Sequence, residues 1–278
     1  DLAGVQALHG RAVAVASNGT SGAGLLELDF RQKAAVPWQH SPAEQSAPPL
    51  EDISTAVALW FEGSGGRRTH AWYYPPSNGS LGAAPLLVKS HSGPTAMARR
   101  GLNLALQYWT SRGWGVVDVN YGGSTGFGRA YRERLNGGWG VVDVEDCAAA
   151  AQALIASGRA NPAQIAIEGG SAGGFTTLAC LCFSDVFRVG ACRYAVCDLS
   201  AMAEETHRFE ARYLDSLVGA WPAERRTYEE RSPLKHAGRI GCPVLFFPGL
   251  QDRVVPPEQT ARMAAALRAN GLPVEVRL

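Results

Sequence analysis

The chain has 278 residues, 46% hydrophobic and 18% charged, with 32 glycines and 16 prolines. That balance suits a globular protein with a sizeable core and excludes a disordered or fibrous chain. A formal net charge of +1 leaves no electrostatic footprint for nucleic acid or an anionic membrane, and no apolar run approaches the roughly 18 residues of a membrane span.

From the first residue, Asp1, no signal-type apolar region follows, so a processed protein or a piece of a longer one is expected. Residues 11–30, RAVAVASNGTSGAGLLELDF, are two apolar runs around a Gly/Ser/Asn-rich turn, which predicts a β-hairpin. The polar, Pro-containing stretch 37–52 reads as a linker. TAVALWFEG (55–63) and THAWYYPP (69–76) predict a second hairpin around GSGGRR.

Strands and helices then alternate. Strands are expected at 85–91, 114–121, 164–170, 189–196, 243–249 and 273–278, and helices at 97–111, 140–157, 172–183 and 257–270. Apolar, β-rich strands separated by helices point to an α/β fold on a mostly parallel sheet. Residues 199–235 carry a weaker pattern and should form helical or irregular excursions. Asp143, Glu145 and Asp146 read as the solvated first turns of a helix, where acids suit the dipole.

The six cysteines (Cys147, Cys180, Cys182, Cys192, Cys197, Cys242) lie in or beside apolar segments with neither zinc-site nor disulfide-framework spacing. Free buried thiols in a reducing, cytoplasmic compartment are expected. Asn18-Gly-Thr20 and Asn78-Gly-Ser80 then read as turns.

The chemistry concentrates in three stretches. Gly169-Gly170-Ser171-Ala172-Gly173 fits G-x-S-x-G at a strand-to-helix junction, where flanking glycines let a serine take a strained backbone and stand at a helix N-terminus. A plain Gly-rich turn with an N-capping Ser171 is the alternative. His91-Ser92-Gly93-Pro94 follows an earlier strand, where a second oxyanion donor would lie: Ala172 N–H is the first candidate donor and Gly93 N–H the second. PVLFFPGLQDRVVPPEQ (243–259) sets Asp252 just past a strand end, in the order Ser…Asp of a nucleophile and its triad acid; an exposed turn Asp is the bland reading.

These stretches, with DVNYGGSTGFGRAYRERLNGGWGVVDVEDC (118–147), resemble the catalytic domain of the prolyl oligopeptidase family of serine peptidases, in its acylaminoacyl-peptidase and aminopeptidase branch. The resemblance covers roughly residues 50–278 and implies an α/β-hydrolase fold preceded by remnant β-propeller strands. The implied divisions are propeller strands at 1–36, a linker at 37–52, and a catalytic domain at 53–278 that is incomplete at its C-terminus. It implies Ser171 as nucleophile, Asp252 as acid, and the Ala172 and Gly93 N–H groups as oxyanion donors, with Ser92 standing where the branch usually has Gly. A pocket wall of Phe209 and Tyr213, with Val254 and Val255 at its edge, follows from the likeness of FEARYLD (209–215) to related dipeptidyl peptidases; ordinary helix packing is the alternative. Asn120, Tyr121 and Arg129 sit in a Gly-rich loop that would border the site, with Tyr121 counted toward the pocket.

In this family the triad histidine sits on a loop after the last strand. Here the last strand would be PVEVRL, and no histidine follows Asp252; the expectation is that it lies in sequence beyond Leu278. His207 and His236 read as surface or satisfied core residues. The resemblance implies hydrolysis of short peptides without a metal or organic cofactor, with no nucleic-acid or membrane partner and homo-oligomerisation left open. An esterase of the same fold is the rival within this chemistry, and a catalytically dead binding module is the rival outside it.

Overall fold

The computed structural model describes residues 2–31, 34–35, 49–77, 82–205 and 212–278. It divides into two compact units, one of residues 1–57, 74–80 and 99–114 and one of residues 58–73, 81–98 and 115–278.

The first unit carries a four-stranded sheet of β1 (Leu2–Leu8), β2 (Arg11–Ala16), β3 (Gly24–Asp29) and β4 (Ala34–Ala35), in that order. Each neighbour pairs antiparallel, and β2–β3 is the hairpin predicted at 11–30. Its turn contains Asn18, whose Oδ1 accepts from the N–H groups of Thr20 (2.9 Å) and Ser21 (2.7 Å), so this sequon stretch is an Asx turn. The other stretch, 78–80, lies outside the described residues. Helix α1 (Leu104–Thr110) belongs to the same unit. A helix was expected from residue 97, but Asn103 starts it at 104 by accepting from the N–H groups of Ala105 and Leu106.

The second unit is built on an eight-stranded sheet in the order β12-β11-β10-β9-β7-β8-β6-β5. Its strands are β5 (Val57–Glu62), β6 (Arg68–Tyr74), β7 (Ala84–Ser90), β8 (Gly115–Asn120), β9 (Ala160–Gly170), β10 (Val189–Arg193), β11 (Val244–Phe247) and β12 (Val274–Val276). From β8 through β7, β9, β10 and β11 to β12 every pairing is parallel. Val88, Val117, Ile165 and Ile167 are wholly buried, each worth about 1.5–3 kcal/mol of apolar burial. The expected α/β-hydrolase architecture with a mostly parallel sheet is the one observed.

Between the strands run α2 (Arg129–Arg132), α3 (Val142–Ala156), α4 (Ala172–Phe183), α5 (Leu199–Glu205), α6 (Tyr213–Leu217), α7 (Arg225–Arg231) and α8 (Pro257–Ala269). The four-alanine run 148–151 favours α3, and Gly158 follows its end with φ 70°. Helix α8 starts on Pro257, the position where a missing N–H costs nothing.

All six cysteines are free and buried, as expected. The solvated reading of 143–146 needs correction. Glu145 is exposed, but Asp143 (0% exposed) and Asp146 (1%) are core residues. No helix among the described residues is long and apolar enough to cross a membrane.

Candidate active site

After β7 the chain forms β8 on one side; it then returns to form β9 on the other. That reversal makes the carboxyl ends of β7 and β9 a topological switch point, the place where ligands bind in open α/β sheets. Ser90 and Gly169 are register partners, so HSGP and the Ser171 turn leave the sheet side by side. The Ser92 hydroxyl, where glycine was the expected family residue, donates to Gly170 O at 2.8 Å and joins the two loops.

Ser171 has φ 53° and ψ −121° and stands at the N-terminus of α4. A β-carbon-bearing residue at positive φ persists only where its surroundings over-determine it. Here a Cβ on Gly169 would lie 2.3 Å from Gly173 O, and one on Gly173 would lie 2.2 Å from Ser90 O. The two glycines are therefore demanded by backbone contact. Ser171 N–H donates to Arg193 O (3.0 Å), its carbonyl accepts from Phe175 N–H (3.0 Å), and its side chain makes no capping bond. The N-capping alternative is not what the serine does. The Ala172 N–H opens α4 beside it, where helix N-termini favour negative charge.

Gly93 has φ 134° and a Cβ there would meet Ala96 N at 2.7 Å. Tyr121, expected on the pocket wall, instead lies beneath this loop at 0% exposure. Its hydroxyl lies 3.0 Å from His91 O and 2.9 Å from Pro94 O and donates to that pair. This is a correction with a plain cause: the ring fills the core under β7 and β8, and its one polar atom brackets Gly93. Burial raises its hydroxyl well above the usual tyrosine range.

His91 is the histidine adjoining the site in sequence, and its ring is committed elsewhere. It stacks on Tyr121 with centroids 4.2 Å apart and planes at 17°. Nδ1 lies 2.9 Å from Ser92 O, which can only accept, so Nδ1 carries the proton and Nε2 accepts from the Ser124 hydroxyl at 2.7 Å. Burial pushes the ring down to about 4, so it is neutral throughout the range in which serine hydrolases work. His70 is likewise lowered to about 4 by burial and bonds Asn120 Nδ2 through Nδ1 at 3.1 Å. His236 packs edge-on against Phe183 at 5.1 Å. His207, like Phe209, lies outside the described residues.

Asp252 follows β11. The ends of β9, β10 and β11 are tied level, Ser171 N–H to Arg193 O (3.0 Å) and Tyr194 N–H to Phe247 O (2.8 Å), so the nucleophile and the acid leave strands two steps apart, about 10 Å across the sheet. Asp252 Oδ1 accepts from Val254 N–H (2.9 Å) and Val255 N–H (3.0 Å); Oδ2 takes no part in that turn. Val254 is 64% exposed, whereas Val255, also expected at the pocket edge, is a core residue at 3%. Tyr213 opens α6 and meets the loop that holds Gly93, its hydroxyl 2.9 Å from Thr95 Oγ1 and 3.4 Å from Gly93 O. Arg129 is exposed at the start of α2, and buried Asn120 accepts from Ala98 N–H (2.8 Å), so neither borders the nucleophile through a described bond.

The arrangement offers a strained, half-buried serine at a helix N-terminus, the Gly93 loop tied beside its turn through Ser92, and a carboxylate two strands away. The Prolyl oligopeptidase family model (Peptidase_S9) matches residues 101–278. The chain is 31% identical over 196 residues to dipeptidyl aminopeptidase BIII of Pseudoxanthomonas mexicana, covering 68% of this chain and 28% of that protein. It is 31% identical over 200 residues to the acylamino-acid-releasing enzyme of Arabidopsis thaliana, covering 69% and 26%. A puromycin-hydrolyzing peptidase of Mycobacterium tuberculosis matches with TM-score 0.92 and 43% identity over 98% of this chain and 42% of its own. A puromycin hydrolase matches with TM-score 0.93 and 40% identity over 100% and 43%. The chain thus spans less than half the length of each of these relatives. With its strand order, its serine turn and well over half of its residues matched in this way, the chain belongs to the prolyl oligopeptidase family.

Proposed function

We propose that the protein is a serine peptidase that hydrolyses short peptides, of the aminopeptidase type in preference to the acylaminoacyl type. The observation that carries the chemistry is the positive φ of Ser171 at the start of α4, beside a loop that presents Gly93 N–H. Ser171 attacks the scissile carbonyl, and an imidazole takes its proton and returns it to the leaving amine. The N–H groups of Ala172 and Gly93 receive the oxyanion, and Asp252 Oδ2 orients the imidazole. His70 and His91 have their ring nitrogens in hydrogen bonds elsewhere and the His236 ring packs against Phe183, so none of these three supplies that imidazole.

The preference rests on identity over nearly the whole chain: 43% and 40% to the puromycin-hydrolysing proteins, puromycin being an aminoacyl amide with a free α-amino group, against 22% to the acylaminoacyl peptidase of Pyrococcus horikoshii. The antiparallel β1–β4 sheet supports reading residues 1–36 as strands of a propeller. Six free, buried thiols support a reducing, cytoplasmic location.

Full-length protein treated with a fluorophosphonate should be labelled at Ser171, located by peptide mass spectrometry. It should cleave alanine p-nitroanilide faster than its acetylated form, and puromycin should compete. Cleavage of p-nitrophenyl acetate with no amide cleavage would instead assign an esterase, and absence of both labelling and cleavage a binding module.

A further inference from the structure

Two carboxylates on α3 have no place in the chemistry above, yet both are buried. Burying a carboxylate is costly unless its oxygens are fully hydrogen-bonded, and these are bonded to particular places. Asp143 Oδ1 accepts from Gly140 N–H at 2.6 Å, and Oδ2 accepts from the Thr176 hydroxyl. Thr176 is on the second turn of α4, and its Oγ1 also lies 3.2 Å from Ala172 O. Gly140 in turn lies against Phe175, where an added Cβ would stand 3.1 Å from the ring. Asp143 thus grips the first turns of α4 from two sides, and that turn carries Ala172 N–H.

Asp146, one turn further along α3, accepts from Gly122 N–H (2.7 Å) through Oδ2, and from Ser64 N–H (2.7 Å) and the Thr69 hydroxyl (3.2 Å) through Oδ1. Gly122 is the residue after Tyr121, and the Tyr121 hydroxyl brackets Gly93 through the carbonyls of His91 and Pro94. A Cβ on Gly122 would sit 2.8 Å from Val142, so the strand end has no slack against α3. Each carboxylate therefore leads by a short bonded path to one of the two oxyanion donors. We propose that Asp143 and Asp146 are positioning residues for the oxyanion site, with α3 the common template that sets the Ala172 and Gly93 N–H groups relative to one another. The proposal rests on the peptidase reading, in which those two groups are the donors.

The test uses full-length wild-type protein with Asp143→Asn, Asp146→Asn, Thr176→Val and Thr176→Ser. For each, kcat and KM on alanine p-nitroanilide are measured, with the affinity of a peptidyl aldehyde and the thermal melt. An aldehyde adds to the serine and places an oxyanion in the hole, so its affinity reads donor geometry as substrate KM does not. Misplacing a donor by a fraction of an ångström should lower kcat by about 10- to 100-fold, with KM within about twofold, and weaken the aldehyde by a similar factor. Thr176→Ser keeps the hydroxyl and should retain near-wild-type values; Thr176→Val, folded but lacking it, should not. Folded variants with unchanged kcat and aldehyde affinity would overturn the proposal. So would a Thr176→Ser protein as impaired as Thr176→Val. A wild type that neither cleaves the substrate nor takes the fluorophosphonate would sink the peptidase reading itself, a result distinct from either.

Discussion

The turns of Ser171 and Asp252, the proposed nucleophile and acid, sit at the ends of strands two steps apart and are held in opposite ways. Around Ser171, tertiary contact leaves no freedom: Gly169 and Gly173 touch backbone oxygens from β7 and α4 at distances that forbid a Cβ, and the serine keeps a strained φ of 53°. Around Asp252 the bonds are local. Its Oδ1 takes two N–H groups of its own loop, and the nearby anchor is Gln259, whose Oε1 accepts from the N–H groups of Cys197 (2.8 Å) and Asp198 (3.1 Å). The difference follows from the tasks. A strained backbone must be over-determined from outside, whereas an acid that orients an imidazole needs a turn able to meet that ring.

The comparison can be broken at several points. Ser171→Ala should lower kcat on alanine p-nitroanilide by a factor on the order of 10⁶ and leave the fold unchanged, as for other triad serines. Asp252→Asn should cost about 10⁴ in kcat, because the imidazole then sits in the wrong tautomer; a melt unchanged from wild type would confirm that its turn is held locally. Gly173→Ala forces a Cβ to 2.2 Å from Ser90 O and should cost about 3 kcal/mol by chemical denaturation, with loss of fluorophosphonate labelling. Gly249→Ala at the acid turn, where the Cβ would meet Asp252 Cβ at 3.2 Å, should cost under about 1 kcal/mol. Equal costs would erase the distinction.

A pH series tests the support beneath the nucleophile. Burial pushes the Asp143 carboxyl up to about 6, against the opposing bonds from Thr176 and Gly140. A folded-state value raised above the unfolded one favours the native state at low pH. That advantage is lost as pH rises from about 4 to about 6, a swing of about 3 kcal/mol for wild type relative to Asp143→Asn. Denaturant midpoints that stay parallel for the two proteins from pH 4 to pH 7 would show that Asp143 is less perturbed than its burial implies. The smallest effect is expected at Val254, 64% exposed: Val254→Ala should change stability by less than about 0.5 kcal/mol, and any shift in KM would place it against the substrate.

Much of the site was legible because its signals are local. A glycine-flanked serine between an apolar strand and a helix, a Gly-Pro loop after an earlier strand, and an Asp just past a third strand can each be read within a few residues. Strand identity was legible for the same reason, since runs such as QIAIEGG must be buried on both faces. What failed involved neighbours distant in sequence. Tyr121 reads as a rim residue in a glycine-rich loop, but it lies under His91 and Pro94. Asp143 and Asp146 read as solvated helix-start acids, because nothing in VDVEDC announces that Thr176, Gly122 and Ser64 will meet them. The first helix is shorter than the apolar pattern of 97–111 suggests, because Asn103 caps it at Leu104.

By itself the sequence determined the order of strands and helices, the serine that can be strained, and the carboxylate that can serve it, since glycine spacing and hydrophobic period act over a handful of residues. The tertiary structure alone decided that β9 returns to the far side of β7, which sets HSGP beside Ser171. It also turned two acids of α3 inward, onto segments that support the proposed oxyanion donors. Those outcomes depend on which segments meet across the sheet, and contacts between residues tens of positions apart leave no periodic trace in a single chain.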